Sequence, residues 1–262
     1  MATRMLNTTT KTVMARVPYL NCAPFFHGWP AEEFWDWVDL PPRQLGMEAD
    51  AGRIVAGPMS LVDFLRLQDR FERLGNMGIA VRGRSGSALL FARKSLRQLD
   101  EATIAVTEDT STTALLLRLI LEQRYKLSPA SYQRGDSDDA DAALLIGDEA
   151  LKARASARRY PYEVDLSFEW WLWQHLPFVF AVWAVRKDLA ATEKERLSRL
   201  LHHQLAKNQG QLEAIAQARA AAMGMSADDV KNYLGNFVYR FSQPEEDAIK
   251  QFQSLLHESD LH

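Results

Sequence analysis

Between residues 13 and 67 the chain alternates short apolar runs with helically spaced ones, a rhythm that restricts it to a sheet layered with helices. Residues 13–19 read as a strand, and 22–28 as a short helix that carries Phe25 and Phe26 inward and stops at Trp29-Pro30. Residues 34–40 crowd large apolar groups ahead of Pro41-Pro42, which marks an extended segment followed by a turn. A helix over 45–51 is closed by Gly52, residues 53–56 return as a strand, and Gly57-Pro58 turns the chain into a helix from Met59 to Leu67.

The series restarts further on, which predicts a second domain. Residues 79–81 and 87–92 read as paired extended segments around a turn at 83–86. A strand over 103–107, a strongly apolar helix over 115–125, an acidic loop at 137–141, a buried strand over 142–146 and a helix over 149–155 follow, with a long strand at 176–186. From Thr192 onward the pattern is helical. Thr192 with Glu195 and Ser242 with Glu245 match capping boxes, Ser226 with Asp229 is a weaker form, and Gly224 and Gly235 supply stops.

Composition narrows the function classes. With 262 residues, 47% hydrophobic and 25% charged, the chain has the means to bury a substantial core. A net charge of -3 without a basic block argues against nucleic acid as a partner. One cysteine, Cys22, excludes an internal disulfide, and the six histidines form no H-E-x-x-H pattern, so no metal site is expected. The N-terminal residues hold no apolar core of signal-peptide length, so a cytoplasmic location is expected. The most apolar run, 176–185, is about half of what a bilayer-spanning helix needs, so no membrane partner is expected either.

Several polar residues sit where strands hand over to helices. Asn21, flanked by Pro18 and Pro24, is held on a rigid turn, where it either reads a ligand or merely shapes the turn and caps the next helix. Thr110, Ser111, Thr112 and Thr113 lead a strand into a helix, where hydroxyls and first-turn N–H groups suit an anion; one hydroxyl is enough if the cluster is only a cap. Gly147-Asp148 reads as a turn with an N-cap, and Ser87 as a strand-end hydroxyl. Trp170, Trp171 and Trp173 read as core or interface residues, and His175, with no evident partner, as structural. There is no G-x-S-x-G, P-loop or G-x-G-x-x-G.

Taken in order and spacing, RVPYLNCAPFF, AGPMSLVDF, SALLF, TEDTSTTALLL, LLIGDEAL and LPFVFAVWAVR resemble the chorismate dehydratase family of the futalosine route to menaquinone. The resemblance covers roughly residues 13–186. It implies an α/β, two-lobed type II periplasmic-binding-protein-like fold with two crossing strands and a ligand cleft between the lobes. The crossings would lie near 87–92 and 176–186, with lobe one formed by 1–92 and 184–262 and lobe two by 93–183. It also implies the loss of water from chorismate, a small-molecule substrate, by a hydro-lyase that uses no cofactor. Asn21 would then be catalytic, with Ser87, Thr110, Ser111, Thr112, Thr113, Gly147 and Asp148 binding substrate from across the cleft. No Glu, Lys or His falls in a matched motif as a base. Thr110 and Thr113 stand where the family often has Ser, which preserves a hydroxyl. Gln174-His175 replaces the usual Thr-Gly, adding bulk near a crossing. The rival functions are a non-enzymatic binding protein or sensor for a small carboxylate and the sister enzyme of the same route that makes dihydroxynaphthoate.

Overall fold

The computed structural model describes residues 12–30, 35–135, 137, 139–156 and 160–261. Phe34 of the expected second strand, Asp138 of the acidic loop and the N-terminal residues 1–11 lie outside the described residues.

The first half of the chain runs β1 (Thr12–Arg16), α1 (Ala23–Phe26), β2 (Trp35–Asp39), α2 (Pro42–Asp50), β3 (Ala56–Ser60), α3 (Leu61–Arg66) and β4 (Phe71–Val81). It continues with β5 (Ala88–Ala92), β6 (Thr103–Val106), α4 (Thr112–Arg118), β7 (Ser131–Arg134), β8 (Ala142–Ile146), α5 (Gly147–Ser156), β9 (Tyr162–Asp165) and α6 (Leu166–Gln174). The last part is β10 (Phe178–Arg186), α7 (Ala191–Gln209), α8 (Leu212–Met223), α9 (Ala227–Gly235), β11 (Phe237–Arg240) and α10 (Gln243–Glu258). Two mixed sheets result, in the orders β11-β4-β10-β3-β1-β2 and β7-β6-β8-β5-β9. They are the two lobes.

Several local expectations change once the strands have partners. The third strand continues through Gly57-Pro58 to Ser60, and the helix starts only at Leu61. Proline is tolerated there because β1 pairs with β3 at Met14/Ala56 alone, so at Pro58 that flank of the strand is open and its missing N–H costs no ladder bond. Residues 79–81 and 87–92 do not pair with each other: β4 lies between β10 and β11 in the first sheet, and β5 between β8 and β9 in the second. The C-terminal region is interrupted by β11, which joins the first sheet beside β4 and buries its alternating Phe237 and Tyr239. Thr192 caps nothing, since α7 begins at Ala191 with Ala190 at its N-cap. The Ser242/Glu245 capping box is present, and Ser226 caps Asp229.

The passages between lobes also move. All five residues of β5 are buried, as expected of a strand with partners on both sides, so residues 88–92 belong with the second sheet. By the same criterion 178–183 belong with the first. The chain therefore crosses in the segments that precede these strands, the loop 82–87 and α6 with the residues 175–177 after it, rather than at 92/93 and 183/184. A buried polar network holds the two crossings together. Asp165 accepts the Gly86 N–H at 2.7 Å, and the Ser167 hydroxyl accepts the Ser85 N–H at 2.9 Å while donating to Asp165 at 2.5 Å.

Trp170 is fully buried and donates its indole N–H to the Pro177 carbonyl at 3.0 Å, whereas Trp171 and Trp173 are half-buried. Gln174 accepts from Gln251 of α10 at 3.1 Å, and the exposed His175 ends α6 in the left-handed region at φ 56°. That conformation is one glycine adopts without strain. His175→Gly is expected to raise stability by roughly 1 kcal/mol, read as a shift in urea midpoint with unchanged slope. No helix among the described residues is long and apolar enough to cross a membrane.

Candidate active site

The parallel strands β1 and β3 of the first sheet and β6 and β8 of the second deliver their carboxyl ends to one place, as ligand sites in open α/β sheets require. A cavity lies there. Its apolar lining comes from Ile79, Phe180 and Ala181 of the first lobe and Ala88 and Ile146 of the second. Its polar lining is Tyr19, Asn21 and Ser60 from one side and Ser87, Thr110, Thr112 and Thr113 from the other.

Asn21 lies in a turn of 3-10 helix over Leu20–Cys22 that runs directly into α1, with Pro24 inside α1's first turn. Its side-chain oxygen is buried without a hydrogen-bond partner, an arrangement that proteins rarely leave uncompensated. The turn is tied to the other lobe by the Leu20 N–H, which donates to Asp148 at 2.7 Å. Tyr19 donates its hydroxyl to Asp109 at 2.8 Å, and the Arg43 N–H donates to the Asp109 carbonyl at 3.0 Å.

The threonine cluster divides its work. The Thr110 hydroxyl accepts the Thr113 N–H at 3.2 Å and so takes the capping role, which withdraws that N–H from any ligand. The Thr112 hydroxyl accepts the Val62 N–H across the cleft at 3.0 Å and keeps its own proton to donate. Arg134 braces the loop from behind, donating to the carbonyls of Thr107 at 3.1 Å and Thr110 at 2.7 Å. Ser87 shares a hydrogen bond of 2.8 Å with Tyr233 of α9.

Thus Asn21, Ser87, Thr110, Thr112, Thr113 and Gly147 meet around one cavity, while Ser111 and Asp148 stay off its surface. Ser111 occupies the N-cap of α4 without a capping bond, and the Asp148 carboxylate is engaged by Leu20. Gly147 is the first residue of α5, not a separate turn, and adopts φ +58° with the Tyr19 ring against it. Sequence reasoning missed Tyr19, Ser60 and Tyr233. Tyr19 could have been found, since it stands between Pro18 and Asn21 in the same motif; Tyr233 could not, because nothing local to α9 points at Ser87.

The titratable groups that line the cavity are held neutral. Burial, reinforced by the bond to Asp109, pushes the Tyr19 hydroxyl well above the usual tyrosine range. Burial likewise pushes the Cys22 thiol up, so it is not a nucleophile. The lining otherwise holds no carboxylate, lysine or histidine among the described residues. The described residues also include no group of three or more His, Cys, Asp or Glu placed to hold a metal ion.

The Asp148 carboxyl is raised above the ordinary aspartate range by burial, which outweighs the Leu20 N–H and the nearby Arg219 and Lys152. A carboxyl raised in the folded state adds most to stability below its unfolded pKa of about 3.9, and that contribution is lost as pH rises through the folded value. Asp148→Asn keeps an acceptor for Leu20 and removes the ionisation. It is expected to be more stable than wild type at pH 7, with the gap closing as the pH falls toward about 4, when chemical denaturation is followed across that range.

The model for the family described as menaquinone biosynthesis matches residues 12–258. The chain belongs to this menaquinone-biosynthesis family. A relative from Thermus thermophilus named chorismate dehydratase is 31% identical over 257 residues, 91% of this chain and 92% of that protein. Among solved structures, a protein from Archaeoglobus fulgidus superposes with a TM-score of 0.77 at 20% identity, covering 97% of this chain and all of its own. A Candida albicans protein described as having the generic periplasmic binding protein fold gives 0.68 at 11% identity, covering 96% of this chain and 90% of its own. These structural likenesses carry the fold alone, and it is the periplasmic-binding-protein-like one: two lobes, a double crossing and a cleft. Gln174 and His175 lie away from the cavity, against α10 and solvent.

Proposed function

We propose that the protein is a chorismate dehydratase, a cofactor-independent hydro-lyase that converts chorismate to 3-[(1-carboxyvinyl)oxy]benzoate in the cytoplasm. The observation that carries this reading is the cavity between the lobes, supplied with hydroxyls and one amide but with no ionised base. Chorismate loses a proton from the ring carbon bearing the enol ether and hydroxide from the adjacent carbon. Together these leave as one water, and the ring becomes aromatic. No electrons are gained or lost, so the step calls for no redox cofactor.

The negative charge that develops as the proton leaves spreads onto the ring carboxylate, where preorganised neutral donors lower the barrier. The hydroxyls of Ser87, Thr110, Thr112 and Thr113 are such donors, and closure of one lobe on the other brings them opposite Asn21. With Tyr19 and Cys22 held protonated, the base in this scheme is the carboxylate of the enolpyruvyl arm of the substrate itself, an intramolecular transfer favoured by proximity. Asp148 and Ser111 serve as supports, the first by pinning Leu20 beside Asn21 and the second by ending the loop ahead of α4. The test is incubation of the purified protein with chorismate, following the aromatic enol ether by chromatography and mass. Chorismate bound but recovered unchanged would overturn the dehydratase reading in favour of a binding protein.

A further inference from the structure

The strip Val17-Pro18-Tyr19 separates two spaces. One is the cavity described above; the other is an open pocket that shares Val17 and Tyr19 with it. The two differ in charge. The cavity lining is neutral, whereas the second pocket is walled by Arg16, His27 and Arg219, with Asp39 as its acidic member. Arg16 is already neutralised by Asp39 at 2.8 Å. Arg219, reaching from α8, donates one terminal nitrogen to the Pro18 carbonyl at 3.1 Å. Its Nε is buried and has no acceptor.

A guanidinium N–H withdrawn from water without an acceptor is costly, and charge-assisted bonds from arginine are among the strong ones. Arg219 lines the pocket and, among the described residues, is in no ion pair, so its guanidinium is the cation there that an anion can engage. We infer that this pocket is a second anion site that takes the carboxylate of a small organic acid, with Arg219 as its main donor. Carboxylate suits the planar fork of arginine. The position beside the cavity, across the strip Val17-Pro18-Tyr19, allows two sources for that carboxylate: an acidic substrate or product held at the mouth of the cleft, or a separate organic acid acting as an effector.

Malonate serves as the probe, titrated by calorimetry and by melting temperature against sodium chloride of equal ionic strength. Wild type is expected to bind malonate, and Arg219→Gln to bind it at least about tenfold more weakly, since it loses both the charge and the donor. Arg219→Lys keeps a positive charge and most of the packing but lacks the planar guanidinium fork, so it is expected to lose at least about fivefold, and it carries the test if the Gln variant fails to fold. Malonate affinity equal to wild type in either folded variant, or no binding beyond the chloride control, would overturn the site. With chorismate present, competition by malonate and a raised KM in Arg219→Lys identify the substrate as the source. A change in rate without competition identifies a separate effector. If chorismate is not turned over, the malonate titrations still decide the site, so its failure and that of the dehydratase reading are distinguishable.

Discussion

Asn21→Ala is expected to lower kcat on chorismate by about 10² or more at saturating substrate while the protein stays folded, as removal of one preorganised polar group does elsewhere. The structural ground is that the Asn21 side-chain oxygen is buried at the cavity with no partner, on a turn held by a cross-lobe bond to Asp148 and by Pro24. A group fixed in place with an unused hydrogen-bonding atom is poised for a ligand that supplies the missing half. The hydroxyl that leaves chorismate is such a donor, and the amide of the same side chain has two N–H groups for developing negative charge. If Asn21 only shaped the turn, alanine would cost about 1 kcal/mol of stability and leave kcat nearly intact. Asn21→Asp separates these outcomes further, since it preserves the shape and places a negative charge against a dianionic substrate. Normal kcat in the alanine variant with a lowered melting temperature would remove Asn21 from the chemistry.

Gly147→Ala is expected to be the most disruptive single change at the site that leaves every polar lining group in place. A Cβ at this position would stand 2.5 Å from Cδ2 of Tyr19, and the backbone is at φ +58°, where an L side chain costs about 1–2 kcal/mol before any clash. The Gly147 N–H is committed to the Ser87 carbonyl at 2.8 Å, so the backbone has little room to retreat and the Tyr19 ring must move. Moving it breaks the bond to Asp109 and pulls the adjoining Leu20–Cys22 turn, displacing Asn21. A shift of that kind at a reacting centre costs about 10² in rate. Unfolding is expected about 2–4 kcal/mol easier, and turnover at least about 10²-fold slower. In Tyr19→Ala/Gly147→Ala the truncated side chain removes the clashing atoms, so the double mutant is expected to be more stable than additivity allows, by at least about 0.5 kcal/mol. Full additivity would show that Tyr19 and Gly147 do not press on each other.

The strand and helix alternation, the buried runs and the turn residues were legible in the chain because they depend on local periodicity and on backbone limits at proline and glycine. That was enough for the α/β class, for β6, β8 and the rigid turn at Asn21, and for the motifs that carry the family resemblance. Which strands share a sheet was not legible. Residues 87–92 and 79–81 look alike as apolar runs, yet lie in different lobes because sheet membership is set by partners far along the chain, β8 and β9 for one and β10 and β11 for the other. Pro58 reads locally as a turn and is a strand residue only because its flank toward β1 is open.

The candidate site divides the same way. Local sequence picks out Asn21, Ser87 and the threonines as polar residues at strand ends. Only the closed arrangement of the lobes decides that the Thr113 N–H is spent on Thr110, that Asp148 serves Leu20 instead of the cavity, and that the cavity groups Tyr19 and Cys22 are kept protonated by burial. Burial and hydrogen-bond partnership are properties of a residue's neighbours in space, and for this chain those neighbours can stand far along the sequence, as Tyr233 does 146 residues from Ser87.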